Sequence, residues 1–242
     1  MPKVAIVAAL EREVLPLVRH WHMTQTEHSG RSFRFFEKGE IVVVCGGIGA
    51  GAARRATEAA IARYAPRLVY SAGFAGALEP RLKIGDVIVP RRVVNAGDGG
   101  SVDTGTGKGV LVSFASVASP GQKAKLGASF GAQAVDMEAA AVAQAAEARG
   151  VRFAAVKAIS DESDFALPPM DRFVTPGGEF RTWKFALYVL IRPWTYNSVL
   201  RLARNSSRAS RTLCNWLSKT NEGLMTAAPE ARAESMEISN RR

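Results

Sequence analysis

The sequence predicts an α/β fold of three layers, in which a central mixed, mostly parallel sheet is flanked by helices. Short apolar runs rich in β-branched residues alternate with longer segments whose apolar residues repeat at helical spacing. Glycine clusters stand where several of the apolar runs end. Such alternation is typical of sheets that carry helices on their faces, and these sheets bind ligands at the carboxyl ends of their strands.

The strands are expected in apolar runs without regular polar alternation, as in strands covered on both faces. These runs are residues 3–9, 41–45, 67–72, 86–90, 110–114 and 153–159. Two helices are expected between them, at 50–64, where apolar residues have helical spacing, and at 136–149, which Gly150 closes. The glycine-rich stretch 95–109 is expected to be a loop over the site.

Length and composition fit one soluble globular domain, because 242 residues, 47% of them hydrophobic, are enough for a sizeable core. We place this domain at residues 1–219 and expect the polar, aperiodic segment 220–242 to be a disordered tail. Cys45 and Cys214 lack metal-ligand spacing, which favours a reducing compartment and argues against a zinc site or disulfide scaffold. No apolar run suits a signal peptide or a membrane span, so we predict a cytoplasmic protein.

The first glycine cluster, residues 46–52, contains the G-x-G-x-x-A pattern of dinucleotide-binding turns. Such a site also requires an acidic residue about twenty positions later, at the end of the next strand. The sequence there is Val69-Tyr70-Ser71-Ala72, without an acid. A nicotinamide or flavin site is therefore disfavoured, and a tight turn that brings a helix against the sheet explains the glycines equally well.

Two carboxylates indicate the chemistry. Glu138 stands at the start of the alanine-rich helix, and Asp161 follows the apolar run 153–159. One acid of such a pair can hold ribose hydroxyls while the other manages a proton at a base, which suits cleavage of a sugar–base bond. Structural roles are the alternative, since Glu138 suits the first turn of a helix and Asp161 suits an N-cap.

The order of the motifs resembles the nucleoside phosphorylase/nucleosidase superfamily, particularly the methylthioadenosine/S-adenosylhomocysteine nucleosidases. The resemblance covers residues 3–165 well and 200–218 weakly. It is carried by the segments 4–14, 47–49, 71–78, 84–90, 135–140 and 158–161. It implies cleavage of the N-glycosidic bond of a purine nucleoside with release of adenine, without a cofactor and without a metal.

The resemblance also assigns roles to the residues that match its motifs. Asp161 is similar to the acid that protonates the purine, or stabilises its protonated form, at N7, and Ser160 is expected to orient it. Glu138 resembles the ribose-binding glutamate, and Met137 is expected to pack on the ribose face. Val117 lies where the family places backbone contacts to the purine.

Hydrolysis and phosphorolysis are both open alternatives at this point. Glu13 falls on the position that activates water in the nucleosidases. Phe74, beside Gly73 in the expected substrate-binding segment, stands where both branches commonly carry a Ser that contacts phosphate or water, and a phenyl ring donates no hydrogen bond. These features favour hydrolysis. Three basic residues near the site in sequence favour phosphate as a co-substrate, unless they are ordinary solvated surface: Arg12, Arg54 and Arg55.

The C-terminal region 179–219 is strongly basic. Between Arg181 and Lys219 there are eight Lys or Arg and no Asp or Glu, in a chain of net charge +10. The helix expected at 200–218 has an apolar stripe opposite a basic one, and aromatic residues accompany an expected insertion at 179–194. An anionic membrane surface suits this mixture, nucleic acid is not expected without a recognisable module, and a solvated face is the plain alternative. The basic stripe consists of Arg201, Arg204, Arg208 and Arg211.

Adenosine-cleaving motifs joined to such a region resemble the hopanoid-associated phosphorylase group. That resemblance implies a lipid-linked nucleoside, adenosylhopane, as the substrate, and peripheral association with the inner membrane face. We also expect a homo-oligomer. A non-catalytic nucleoside-binding protein of the same fold is the remaining alternative, against which the presence of Glu13, Glu138 and Asp161 argues.

Overall fold

The computed structural model describes residues 3–166, 173, 175, 177, 178 and 196–226. The strands are Val4–Ala8 (β1), His22–His28 (β2), Arg31–Lys38 (β3), Ile41–Cys45 (β4), Leu68–Ala77 (β5), Val87–Ile88 (β6), Arg92–Asn95 (β7), Ser101–Asp103 (β8), Val110–Ser113 (β9), Ala134–Asp136 (β10) and Arg152–Asp161 (β11). The helices are Glu11–Val18 (α1), Ala50–Tyr64 (α2), Pro120–Phe130 (α3), Ala139–Glu147 (α4) and Tyr196–Thr226 (α5).

The strands form one mixed sheet in which β4, β1, β5 and β11 lie parallel, side by side, at the centre. One edge of the long strand β5 pairs with β11 along most of its length. On its other edge, β1 pairs as far as Ser71, and β10 pairs from Gly76 in the opposite direction. The carboxyl ends of β1 and β10 therefore face each other beside residues 72–75 of β5, where neither strand covers the edge.

Two cores lie on the two faces of the sheet, because successive residues of a strand point to opposite faces. In β1, Ala5 and Val7 pack into the core that contains α2 and α4, whereas Ile6 packs into the core that contains α1 and α5. Helix α3 packs separately against β9 and β10 through Leu126. The predicted three-layer α/β fold with a mixed sheet is confirmed.

Some elements differ from the sequence-based expectations. Helix α4 begins at Ala139 rather than at 136, because Asp136 is the last residue of β10. Helix α1, in the acidic segment after β1, was not among the helices expected from the sequence. The stretch 95–109 contains the short strand β8, and none of its residues lines the cavity described below.

The C-terminal helix α5 is longer than the helix expected at 200–218, and it includes the first residues of the segment 220–242 that was expected to be disordered. The expected insertion at 179–194 and residues 227–242 lie outside the described residues. Among the helices that are described, none combines the length and the apolarity needed to cross a membrane.

Candidate active site

A cavity of about 150 Å³ lies beside the uncovered edge of β5, where the ends of β1, β10 and β11 converge. We call it the site cavity. Helix α5 also reaches it, through Leu202 and Ser206. Seven of the eight site residues expected from the sequence line it: Glu13, Phe74, Val117, Met137, Glu138, Ser160 and Asp161.

The eighth residue, Gly73, lies behind Glu13 rather than on the cavity wall. A Cβ atom at Gly73 would stand 2.9 Å from Glu13 Oε2, so that a glycine makes room for the carboxylate. Glu13 Oε2 accepts hydrogen bonds from the backbone N–H groups of Ala9 (3.1 Å) and Leu10 (3.3 Å). Burial raises the pKa of Glu13, and the nearby Lys157 ammonium and these backbone bonds partly oppose the rise.

Glu138 occupies the N-cap position of α4, but its side chain does not cap that helix. Its Oε1 atom instead accepts a hydrogen bond from the backbone N–H of Gly49 at 2.8 Å. Burial, and then the charge of Asp136, raise the pKa of Glu138 to about 7, although Lys157 opposes this change. A half-buried carboxylate at the cavity wall can accept hydrogen bonds from sugar hydroxyls.

The first glycine cluster therefore has a local role. Gly46 allows α2 to approach the turn closely, because a Cβ atom there would lie 2.6 Å from the Cβ of Ala56. Gly49 supplies the N–H that fixes Glu138. Both observations agree with the interpretation of the cluster as a tight turn between strand and helix.

A buried group of hydrogen-bonded side chains holds the start of α4, and the sequence analysis did not predict it. Its members are Asp136, Ser113 and Lys157. Asp136 Oδ2 accepts hydrogen bonds from the backbone N–H of Ala139 and from Lys157 Nζ, both at 2.8 Å. Ser113 Oγ donates to Asp136 Oδ1 at 2.5 Å. Asp136 thus performs the helix-start role considered for Glu138, which leaves the Glu138 carboxylate available to the cavity.

Lys157 carries a positive charge among three carboxylates, which we call the acidic group: Asp136, Glu138 and Glu13. Burial acts against its charged form, but the carboxylates of Asp136, Glu138 and Glu13 outweigh burial, so its pKa is raised. The ammonium of Lys157 in turn lowers the pKa values of Glu13 and Glu138, against the effect of burial. The sequence signal for this centre was a lysine inside the apolar run of β11, which is hard to bury without a partner.

Asp161 is the last residue of β11 and lies in the wall of the cavity. Ser160 Oγ donates to Asp161 Oδ1 at 2.7 Å. Residues 162–166 are not helical, so the N-cap alternative for Asp161 does not hold. Lys123 Nζ of α3 lies 2.5 Å from Asp161 Oδ2, and this lysine was missed too. Its signal was the capping pattern Ser119-Pro120-Gly121-Gln122, which marks the start of a helix.

The three arginines considered for phosphate binding have different positions. Arg12 lines the site cavity, whereas Arg54 and Arg55 do not. Arg54 instead forms an exposed ion pair with Glu58 at 3.2 Å. Within the part of the chain that the structure describes, no three His, Cys, Asp or Glu side chains are arranged to hold a metal ion.

Comparisons with known proteins agree with this fold. Residues 3–122 and 109–172 match the Phosphorylase superfamily. A segment of 94 residues is 36% identical to the 5′-methylthioadenosine/S-adenosylhomocysteine nucleosidase of Shewanella loihica, covering 38% of this chain and 41% of that protein. The curated relatives that the chain matches are thus spanned over less than half of their length.

Two solved structures from Helicobacter pylori share the fold. The chain covers 98% of futalosine hydrolase, with a TM-score of 0.68, 20% identity and 92% of its own residues aligned. For a 5′-methylthioadenosine/S-adenosylhomocysteine nucleosidase, the TM-score is 0.69, the identity is 20%, and the coverage is 92% of this chain and 98% of that chain. The family match runs over more than half of the chain and includes Glu13, Glu138 and Asp161. The chain therefore belongs to the Phosphorylase superfamily.

Proposed function

We propose that the protein cleaves the N-glycosidic bond of a purine nucleoside by hydrolysis and releases adenine. The observation that carries this proposal is the convergence of Glu13, Glu138 and Asp161 on one cavity. The local match to curated proteins named nucleosidases supports the same reaction class.

Each acid suits a different part of the reaction. As the bond between C1′ and N9 lengthens, positive charge develops on the sugar and negative charge on the base. Glu138 would hold the ribose hydroxyls, and the acidic group to which it belongs would stabilise the cationic sugar. Glu13 would accept a proton from the attacking water, and Asp161 would protonate the purine, or stabilise its protonated form, at N7.

The surroundings of Glu13 favour water over phosphate as the nucleophile. A phosphate dianion near the sugar would approach the buried Glu13 and the half-buried Glu138, and like charges close together are unfavourable. Phe74 lines the same cavity and offers no hydrogen bond to an anion. Phosphorolysis is the second candidate, and the position of Arg12 in the cavity wall is the observation that favours it.

Product analysis with 5′-methylthioadenosine, with and without phosphate, tests the proposal. Hydrolysis releases adenine and a free ribose sugar at a rate that is independent of phosphate, whereas phosphorolysis requires phosphate and yields a ribose 1-phosphate. Glu13→Gln should lower hydrolysis by ~10²–10⁴-fold, because an amide cannot accept the proton from water. Glu11→Gln is the matched control, since Glu11 begins the same helix but lies outside the cavity and pairs with Arg34.

If product formation requires phosphate and Glu13→Gln keeps full activity, the reaction is phosphorolysis rather than hydrolysis. Tight binding of adenine or adenosine without release of base from any nucleoside would favour the non-catalytic alternative.

We further propose that the substrate is linked to a lipid, as in adenosylhopane, and is reached from an anionic membrane surface. Helix α5 supports this proposal, since it lines the cavity with Leu202 and Ser206 while its outer side carries exposed arginines. Arg201 is exposed too, but its charge is partly balanced, because it pairs with Glu162 at 3.4 Å, and it lies over the ring of Phe165. We call the remaining set the basic face: Arg204, Arg208 and Arg211.

Cosedimentation with anionic and neutral vesicles, at low and high salt, tests the role of the basic face. Each basic residue near an anionic surface contributes ~1 kcal/mol before screening, so changing all three arginines to Gln should weaken binding more than about tenfold. The matched control changes three exposed arginines elsewhere, Arg67, Arg92 and Arg152, to Gln. Equal binding of both triple variants, or recovery of the wild type in the supernatant throughout, would reject the membrane proposal.

The homo-oligomer stays a prediction, which sedimentation velocity tests.

A further inference from the structure

Lys123 and Asp161 form a buried ion pair in the wall of the site cavity. Their side chains are only 2% and 5% exposed, and Lys123 Nζ lies 2.5 Å from Asp161 Oδ2. Lys123 Nζ also donates to the backbone oxygen of Glu162 at 2.6 Å. Both members of the pair line the cavity, so the pair faces any base that binds beside Asp161.

The chain makes room for this pair at a specific position. A Cβ atom at Gly76 would stand 2.7 Å from Asp161 Oδ2 and 3.2 Å from Lys123 Cε. The other oxygen of the carboxylate, Oδ1, accepts the hydrogen bond from Ser160. Asp161 is therefore held from both sides before any substrate binds.

Stability alone is a poor reason for such an arrangement. Desolvation of two buried charges offsets much of their attraction, and apolar side chains of similar size often serve stability as well or better. An ion pair in the wall of a cavity is a stronger indication of chemistry than an ion pair inside a core.

We propose that Lys123 is a positioning residue that acts through Asp161 and supplies the proton that the departing purine takes up. The proposal rests on the proposed cleavage of the N-glycosidic bond and extends it. In the ion pair, Asp161 is a carboxylate that accepts from Lys123, so a proton for the base has to reach Asp161 from a neighbour. The ammonium of Lys123 is in hydrogen-bond contact with it.

The step balances with the groups present. The C1′–N9 bond breaks and its electron pair stays with the purine, while a water oxygen forms the new bond to C1′. Glu13 takes one proton from that water. Lys123 Nζ passes one proton to Asp161 Oδ2, Asp161 passes one proton to N7 and is a carboxylate again, and Lys123 is left as a neutral amine. Exchange with solvent returns the proton of Glu13 to Lys123 after the products leave.

The test compares leaving groups. A series of purine ribosides with base substituents of graded electron withdrawal is cleaved by the wild type and by Lys123→Met. Without the proton source, kcat should fall by ~10²-fold or more with little change in KM. The dependence of log kcat on the pKa of the leaving base should become steeper, because unprotonated bases then depart according to their own acidity. Lys125→Met, an exposed lysine on the same helix, is the control and should match the wild type.

Lys123→Gln is a second variant in case Lys123→Met does not fold. Its amide retains N–H donors for Asp161 and Glu162 but has no acidic proton to transfer. It should show the same steep dependence. The double variant Lys123→Met with Asp161→Asn should be no slower than Asp161→Asn alone, since both changes affect one step.

An unchanged slope in folded Lys123 variants, whether kcat is full or uniformly lower, would overturn the proposal and leave Lys123 with a structural role. Failure of the proposed function gives a different result, namely that the wild type releases no base from any member of the series.

Discussion

Glu138→Gln should make the protein more stable at high pH, even though it should damage substrate binding. The wild-type residue is half-buried, and desolvation and the charge of Asp136 raise the pKa of its carboxyl group from the ordinary 4.5 to about 7. The amide of Gln keeps a carbonyl oxygen for the N–H of Gly49, which now donates to Glu138 Oε1 at 2.8 Å. It has no charge at any pH in the range of interest.

The magnitude follows from the pKa change. For an acid whose pKa is higher in the folded state than in the unfolded state, folding is favoured by the bound proton at low pH, and this contribution is lost as pH rises through the folded-state pKa. A rise from 4.5 to about 7 corresponds to roughly 3 kcal/mol between the two limits. Glu138→Gln should therefore gain up to roughly 3 kcal/mol in unfolding free energy over the wild type at about pH 8.5, relative to the same comparison at about pH 4.5.

Urea unfolding of both proteins at the two pH values measures this difference. Glu147→Gln, an exposed change at the end of the same helix, is the control and should show no pH-dependent difference from the wild type. If the difference between Glu138→Gln and the wild type is the same at both pH values, the carboxylate is not held at a raised pKa. A loss of stability for the variant that grows with pH would contradict the electrostatic argument altogether.

Three further outcomes are expected. Asp161→Asn should lower base release by ~10²–10⁴-fold while adenine analogues still bind. Asp164→Asn, a change of an exposed neighbour, should leave base release unchanged, and wild-type turnover of Asp161→Asn would remove Asp161 from the reaction. The rate constant kcat/KM should rise with pH and level off above about 7, as the Glu138 carboxylate forms; a rate already at its plateau near pH 5 would exclude a need for that charge. Gly76→Ala should lose most activity while circular dichroism shows an intact fold, because the new Cβ meets the Asp161 carboxylate at 2.7 Å; Gly121→Ala, with open space around it, is the control.

The central elements were predictable because their patterns are local. β4 and α2 have the bounds expected from the sequence, since an unbroken β-branched run and a run of alanines at helical spacing are decisive by themselves. β2 was missed because its seven residues, HMTQTEH, are mostly polar and its position follows only from pairing with β3. α3 was missed because its apolar residues are few.

The site shows the same division. The carboxylates Glu13, Glu138 and Asp161 were expected, because each belongs to a motif of local sequence, and the fold brings them to one cavity. Lys123 and Lys157 were not expected, because a buried lysine has meaning only beside its carboxylate. Lys123 is 38 residues from Asp161 along the chain, and the contact exists only once α3 lies against the end of β11.

The bond between α5 and α1 makes the completion of the cavity depend on a contact between distant parts of the sequence. Ser210 Oγ donates to the backbone oxygen of Glu13 at 3.0 Å across 197 positions of the sequence, and Leu202 and Ser206 of the same helix complete the cavity wall. Such long-range contacts form late in folding, because a large loop must close first. The cavity wall should therefore be completed late in folding, when α5 docks on α1.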